Sequence, residues 1–199
     1  MKRHSYLGVH LHFLIGASFS IVLLVAWGNS TYIYAKAYLA QYLIEDAWQK
    51  TLKTQQDYRP WSWADTWPVA RLIGDGGLEN LYVLAGGSGS SLAFGPGLVD
   101  GTAQPGGEKT MVIGGHRDTH FSFLKDLEKG EALHIQGRNS QWYTYRVASA
   151  RVEDIRNGDL SIGFDTDQLV LVTCYPFDAV RPGGPLRYVV RAEPERFSM

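Results

Sequence analysis

The one cysteine of the chain, Cys174, closes the apolar run Leu169-Val170-Leu171-Val172-Thr173-Cys174, which puts it at or near the C-terminal end of a strand. A lone cysteine in such a run is more often an inert core residue than a nucleophile. Its company changes the balance. His116 ends a second apolar run, Met111-Val112-Ile113-Gly114-Gly115-His116, where two glycines allow close backbone approach. The alternative for His116 is a hydrogen-bonded structural histidine. Two polar reactive groups at the ends of two apolar strands are a less common coincidence, and they point to thiol-based nucleophilic chemistry.

A third member comes from the arginines that follow Cys174, namely Arg181, Arg187 and Arg191. Residues 175–186 read as a long hairpin loop, so Arg187 begins the returning strand opposite the end of the cysteine strand. Arg191 shares its face by parity but lies roughly 13 Å down the strand. Arg181 sits mid-loop, where it could touch a substrate. Arg187 is the choice, although parity leaves open whether it points inward. Asp118 and His120 flank His116 and could orient it or touch substrate, or could be turn-forming surface residues. Thr173 could hydrogen-bond near the thiolate or serve as a β-branched strand residue. His116 and His120 are four apart, as in helical zinc sites, but this stretch follows a strand and lacks the His-Glu pair, which argues against metal.

The elements that must hold these groups follow from composition and patterning. The formal net charge is −1, from 19 basic and 20 acidic residues, so no basic field exists for a nucleic-acid backbone. One cysteine removes a disulfide framework and any multi-cysteine zinc site. Hydrophobic residues at 45% are enough for a core and exclude general disorder. With 22 glycines and 8 prolines, turns are frequent, which favours short strands.

Lys2 and Arg3 open the chain, and no Asp, Glu, Lys or Arg follows from residue 5 to residue 35. Residues 11–34 are long enough to cross a bilayer as a helix, with Trp27, Tyr32 and Tyr34 where an interfacial belt belongs. Lys2 and Arg3 keep the start cytoplasmic and send the rest outward; His10 and His12 are read as interfacial. A cleaved signal peptide ending near Ala35-Lys36-Ala37 is the alternative to an uncleaved anchor.

From Ala37, Leu39, Tyr42, Leu43, Ala47, Trp48 and Leu52 recur at three- and four-residue steps, an amphipathic helix that ends before Pro60. Three tryptophans between Pro60 and Pro68 predict packing against a domain surface. Strands are predicted at 69–73, 80–85, 110–114, 132–136, 142–152, 169–174 and 186–191, the fifth as one bent strand or two. Turn signals separate them: Gly74-Asp75-Gly76-Gly77, Pro105-Gly106-Gly107, Arg138-Asn139 and Pro182-Gly183-Gly184-Pro185. The expected layout is an anchor over 1–35, a leader helix over 36–59 and a mainly β domain over 60–199, with seven or eight strands in a closed barrel or sandwich.

Together these residues resemble the sortase family. Val172-Thr173-Cys174 before Tyr175-Pro176 is similar to the Thr-x-Thr-Cys signature, without its earlier threonine. Gly114-Gly115-His116 resembles Ala-Gly-His, and Phe121-Ser122-Phe123-Leu124 with Leu127 resembles the Phe-x-x-Leu stretch that follows it. Arg187-Tyr188-Val189-Val190-Arg191 is similar to the strand bearing the family arginine. The Pro-Trp-x-Trp-Ala-Asp-Thr and Gly-Gly-His-Arg-Asp-Thr-His segments look most like the marine proteobacterial type.

The resemblance implies a closed barrel carrying a cysteine transpeptidase on a single-pass cytoplasmic-membrane anchor, its catalytic domain facing the periplasm or cell exterior. It implies an exported protein partner with an LPxTG-like C-terminal sorting signal, an amine acceptor and no cofactor. Cys174 would form a thioester on the signal's threonine. His116 would protonate the departing amine and deprotonate the incoming one. Arg187 would hold substrate carbonyls and the oxyanion. Papain-like peptidases place cysteine before histidine, and L,D-transpeptidases have a Ser-His-Gly-Cys context absent here. The non-enzymatic rival is a membrane-anchored β-barrel binding module with Cys174 buried and inert.

Overall fold

The computed structural model describes residues 4–75, 78–87, 89–158, 160–181 and 183–195. Lys2 and Arg3, read above as cytoplasmic charges, lie outside the described residues. So do Gly76, Gly77 and Pro182 of the turn signals and the side chains of His10 and His12. The chain divides into two units, Met1–Gln41 and Tyr42–Met199.

The first unit consists of helix α1 (His4–Thr54) up to Gln41. Its apolar side chains point outward, with Ile15, Phe19, Leu24 and Trp27 all more than half exposed. A contiguous apolar surface of this kind needs a non-aqueous neighbour, and the helix is long and apolar enough to cross a membrane by length and composition. Ser20 and Thr31 donate to the carbonyls of Gly16 and Trp27, each at 2.9 Å, so their hydroxyls are satisfied within the helix.

The second unit opens with the last turns of α1. Ile44, Ala47, Trp48 and Thr51 are buried, at steps of three and four. This stripe is rotated from the expected one. Leu39 and Tyr42 are exposed, and Ile44 and Thr51 take their place. Apolar residues cover so much of the helix here that periodicity alone does not fix the buried face. Helix α1 runs to Thr54. It ends where Gln55 adopts a φ of 59° and donates its N–H to the Thr51 carbonyl at 2.7 Å.

Of the clustered tryptophans, Trp61 meets Phe94 edge-on at 5.0 Å and Trp67 packs on the core, while Trp63 stays exposed. Thr66 donates its hydroxyl to the Ala85 carbonyl at 2.7 Å. These contacts lead the chain into the barrel.

Eight strands follow: β1 (Pro68–Gly74), β2 (Leu78–Ala85), β3 (Gly97–Leu98), β4 (Met111–Gly114), β5 (Ala132–Gly137), β6 (Trp142–Asp154), β7 (Leu169–Cys174) and β8 (Leu186–Pro194). They close as β1-β2-β3-β4-β7-β8-β6-β5, a barrel and not a sandwich. Two neighbouring pairs are parallel, β2 with β3 and β4 with β7.

The sequence reading lacks β3, whose two residues are too few to show alternation. Gly97 is needed there, since a Cβ would collide with the Gly86 carbonyl. β6 is one strand, with a register shift at Ala148 between Val147 and Ser149 that bends it.

Leu72, Val83, Ile113, Leu133, Ile135, Leu169, Leu171 and Val190 fill the barrel. On the outer face of β4, β7 and β8, Val112, Val170 and Val189 form a second cluster with Leu160, Ile162 and Val172. Burial on both faces explains why β7 reads as an unbroken apolar run.

Candidate active site

Cys174 and Arg187 sit directly opposite each other in the antiparallel β7–β8 ladder. On the other side of β7, parallel β4 pairs Met111 with Leu169 and Gly114 with Val172. The Gly115 N–H donates to the Val172 carbonyl at 3.1 Å, which carries the pairing one residue beyond the strand. His116 therefore leaves β4 level with the end of β7, where the thiol lies.

Parity fixes the face. Cys174 shares its face with Val172 and Val170, and Arg187 with Val189, so both belong to the outer side, the side of the Leu160–Ile162 cover. The cysteine is half-buried, His116 exposed and Arg187 half-buried. Thr173 points the other way. It is buried, and its hydroxyl donates to the Gly115 carbonyl at 2.7 Å.

Arg187 Nη1 donates to the carbonyls of Gly184 at 2.6 Å and Leu186 at 3.0 Å. Among the described residues the other guanidinium nitrogens make no protein hydrogen bond. One part of the group is thus fixed by the loop. Arg191, on the same face, is committed elsewhere. Its Nη2 donates to Glu153 Oε1 at 2.6 Å and to the Ser161 carbonyl at 2.9 Å. Glu153 Oε2 accepts from the Ser161 N–H at 3.0 Å, so the pair staples the cover segment to the sheet. Burial tends to raise the Glu153 carboxyl, but the Arg191 hydrogen bond and the Ser161 N–H outweigh it and hold the carboxyl low.

Beyond His116 the chain turns sharply, and the His116 carbonyl accepts from the Phe121 N–H at 2.9 Å. Phe121 and Leu124 are fully buried and anchor that turn. Asp118 is exposed within it. His120 is half-buried, and its imidazole is held below the ordinary value of 6.5 by burial first and by the charge of His116 second, against a smaller opposing pull from Asp118. Arg181 is exposed in the β7–β8 loop.

Two functional contacts escaped the sequence reading. Glu153 is the partner that distinguishes Arg191 from Arg187. Arg117, next to His116, donates through Nη2 to the carbonyls of Ala179 at 2.6 Å and Arg181 at 3.2 Å. Its acceptors are backbone atoms, which leave no signature in residue types. Among the described residues no group of three or more His, Cys, Asp or Glu side chains is placed to hold a metal ion.

A family model described as a sortase domain matches residues 75–195, more than half of the chain. The chain belongs to the sortase family. Sortases are cysteine transpeptidases, and the matched segment contains His116, Cys174 and Arg187. The chain is 29% identical over 111 residues to sortase D of Bacillus subtilis (strain 168), a match covering 55% of each. It thus spans about half the length of that curated relative.

Among solved structures, a Clostridium perfringens sortase D5 transpeptidase superposes with a TM-score of 0.62 at 20% identity, covering 80% of this chain and 99% of that one. The catalytic domain of B. anthracis SrtD gives a TM-score of 0.53 at 28% identity, covering 65% and 88%. The Clostridium structure supports the barrel alone at that identity, and the eight-strand closure agrees with it.

Proposed function

We propose that this sortase is a membrane-anchored transpeptidase that cleaves an LPxTG-like C-terminal sorting signal after threonine and transfers the acyl part to an amine acceptor. The reading rests most on one observation: Cys174 lies in register with Arg187 and beside the strand that delivers His116.

In this mechanism the Cys174 thiolate attacks the threonine carbonyl carbon. A C–S bond forms as the carbonyl π electrons move to oxygen, and the available N–H groups of Arg187 meet that oxyanion. Collapse breaks the C–N bond, and protonated His116 gives its proton to the departing amine. The acceptor amine then attacks the thioester carbonyl, loses a proton to His116 and expels the Cys174 thiolate. Arg187 suits this role because a guanidinium presents several donors fixed in one plane. Residues 1–35 would form the single-pass anchor, residues 36–59 the leader and residues 60–199 the catalytic domain, facing the periplasm or cell exterior. The exposed apolar surface of α1 supports that placement. In this reading Asp118, His120 and Arg181 line the substrate path, while Thr173, expected from sequence as a substrate contact, is buried and acts only by tying its strand to the Gly115 carbonyl.

The test is intact mass spectrometry of the full-length protein in detergent, incubated with LPxTG-like peptides with and without small amines. A peptide-sized mass gain on wild type, lost in Cys174→Ala and discharged by an amine, is the expected result. A thiol inert to alkylation in the folded protein, with no adduct from any peptide, would overturn the assignment.

A further inference from the structure

The β7–β8 loop leaves the candidate nucleophile Cys174 and returns at Arg187, so its position bears on both. Its base is well held. Phe177 packs on the barrel core and lies 5.3 Å from the Tyr188 ring, and the Tyr175 N–H donates to the Leu186 carbonyl at 3.0 Å. The tip has no such burial. Val180 is 98% exposed, and Asp178 and Arg181 are exposed as well. Hydrophobic packing therefore cannot fix the tip. Among the described residues, the hydrogen bonds that reach it from outside the loop come from Arg117, which grips the carbonyls on either side of Val180.

We propose that Arg117 is a positioning residue for the transfer reaction. Its guanidinium ties the tip of the β7–β8 loop to the segment carrying His116 and so fixes the spacing, the cleft of this scheme, between that histidine and the Cys174–Arg187 pair. The argument follows from connectivity. Arg117 is covalently adjacent to His116, and the two carbonyls it holds lie midway along the chain from Cys174 to Arg187. Both bonds have an ionised donor, which strengthens them relative to neutral ones, and the one to Ala179, at 2.6 Å, is the shorter. Arg117 touches no reacting atom in this scheme; it acts through the groups on either side of the cleft. The inference rests on the transpeptidase reading for its kinetic consequence, but not for the contact itself.

The experiment compares full-length wild type, Arg117→Met and Arg117→Lys in detergent, by amide hydrogen exchange over residues 177–184, by peptide-transfer kinetics and by thermal midpoint. Arg117→Met should exchange the tip amides about tenfold faster. It should also lower kcat/KM by about 10- to 100-fold, in line with the cost of a small misplacement of reacting groups, with a midpoint close to that of wild type. Arg117→Lys, which keeps a charged donor, should recover much of the loss. Unchanged exchange at the tip in Arg117→Met would overturn the clamp. Faster exchange with wild-type kcat/KM would overturn the positioning role. A kinetic loss matched by a fall in alkylatable, folded protein would make Arg117 merely structural. Absence of any acyl-enzyme on wild type would sink the transpeptidase reading and leave the clamp to be decided by exchange alone.

Discussion

The hydroxyl of Thr173 donates to the carbonyl of Gly115 at 2.7 Å, joining the residue before the cysteine to the residue before the histidine. The bond is buried, with Thr173 only 2% exposed. It spans the two parallel strands just before Cys174 and His116. Thr173→Val keeps the shape and removes the donor, leaving a buried carbonyl short of a partner. The expected cost is about 1–3 kcal/mol of stability, read by chemical denaturation, together with slower peptide transfer. A variant with unaltered stability and rate would show that the bond has no part in aligning the strands.

Arg187 and Arg191 share a face but have different partners, and two substitutions test whether their roles differ. Arg191→Met should lose about 2 kcal/mol, because Glu153 and the Ser161 carbonyl lose a charged, half-buried partner. Its activity per folded molecule should stay near wild type. Arg187→Met should also lose some stability, because the Gly184 and Leu186 carbonyls lose a donor, but unlike Arg191→Met it should lose peptide transfer by two or more orders of magnitude per folded molecule. Equal losses of activity in the two variants would contradict this division.

The two glycines before His116 are not equivalent. A Cβ on Gly114 meets nothing within 4 Å, whereas one on Gly115 would lie 2.8 Å from the ring of buried Phe121. Gly114→Ala should therefore be neutral or slightly stabilising, and Gly115→Ala should cost about 1–3 kcal/mol through overpacking. The contrast accounts for a family pattern with alanine at the first position and glycine at the second. Thermal midpoints of the two variants check it.

His120 provides a pH dependence with a defined sign. Its imidazole is held below 6.5 in the folded chain, by burial first and by His116 second. The unfolded state then binds more protons than the native state just below 6.5. The stabilisation is fully present above 6.5 and declines as pH falls through the lowered folded value. Urea midpoints of wild type should fall more steeply between pH 7 and pH 5 than those of His120→Gln. Parallel curves would remove His120 from the acid response.

Much of the barrel was legible because its central strands are covered on both faces. Met111-Val112-Ile113 and Leu169-Val170-Leu171-Val172 show as continuous apolar runs because Val112 and Val170 pack under Leu160 and Ile162 while their neighbours fill the core. Reading Cys174 and His116 as strand-end residues depends on those runs. β3 was not legible, since its two residues are set by a close backbone approach at Gly97. The buried stripe of α1 was misplaced by a few residues because the surrounding helix is apolar on most sides. Arg117 stayed hidden for a different reason: its partners are two carbonyls, and any residues at 179 and 181 would supply them.

The parallel pairing of β4 with β7 also bears on when this chemistry first exists. Gly115 and Thr173 are 58 residues apart in sequence, and contacts of that range form late because loop closure must precede them. Until the barrel closes, the segment carrying His116 and the strand carrying Cys174 have no fixed relation to each other. Closure of the β4–β7 pair is the step that brings the two side chains to one end of the sheet.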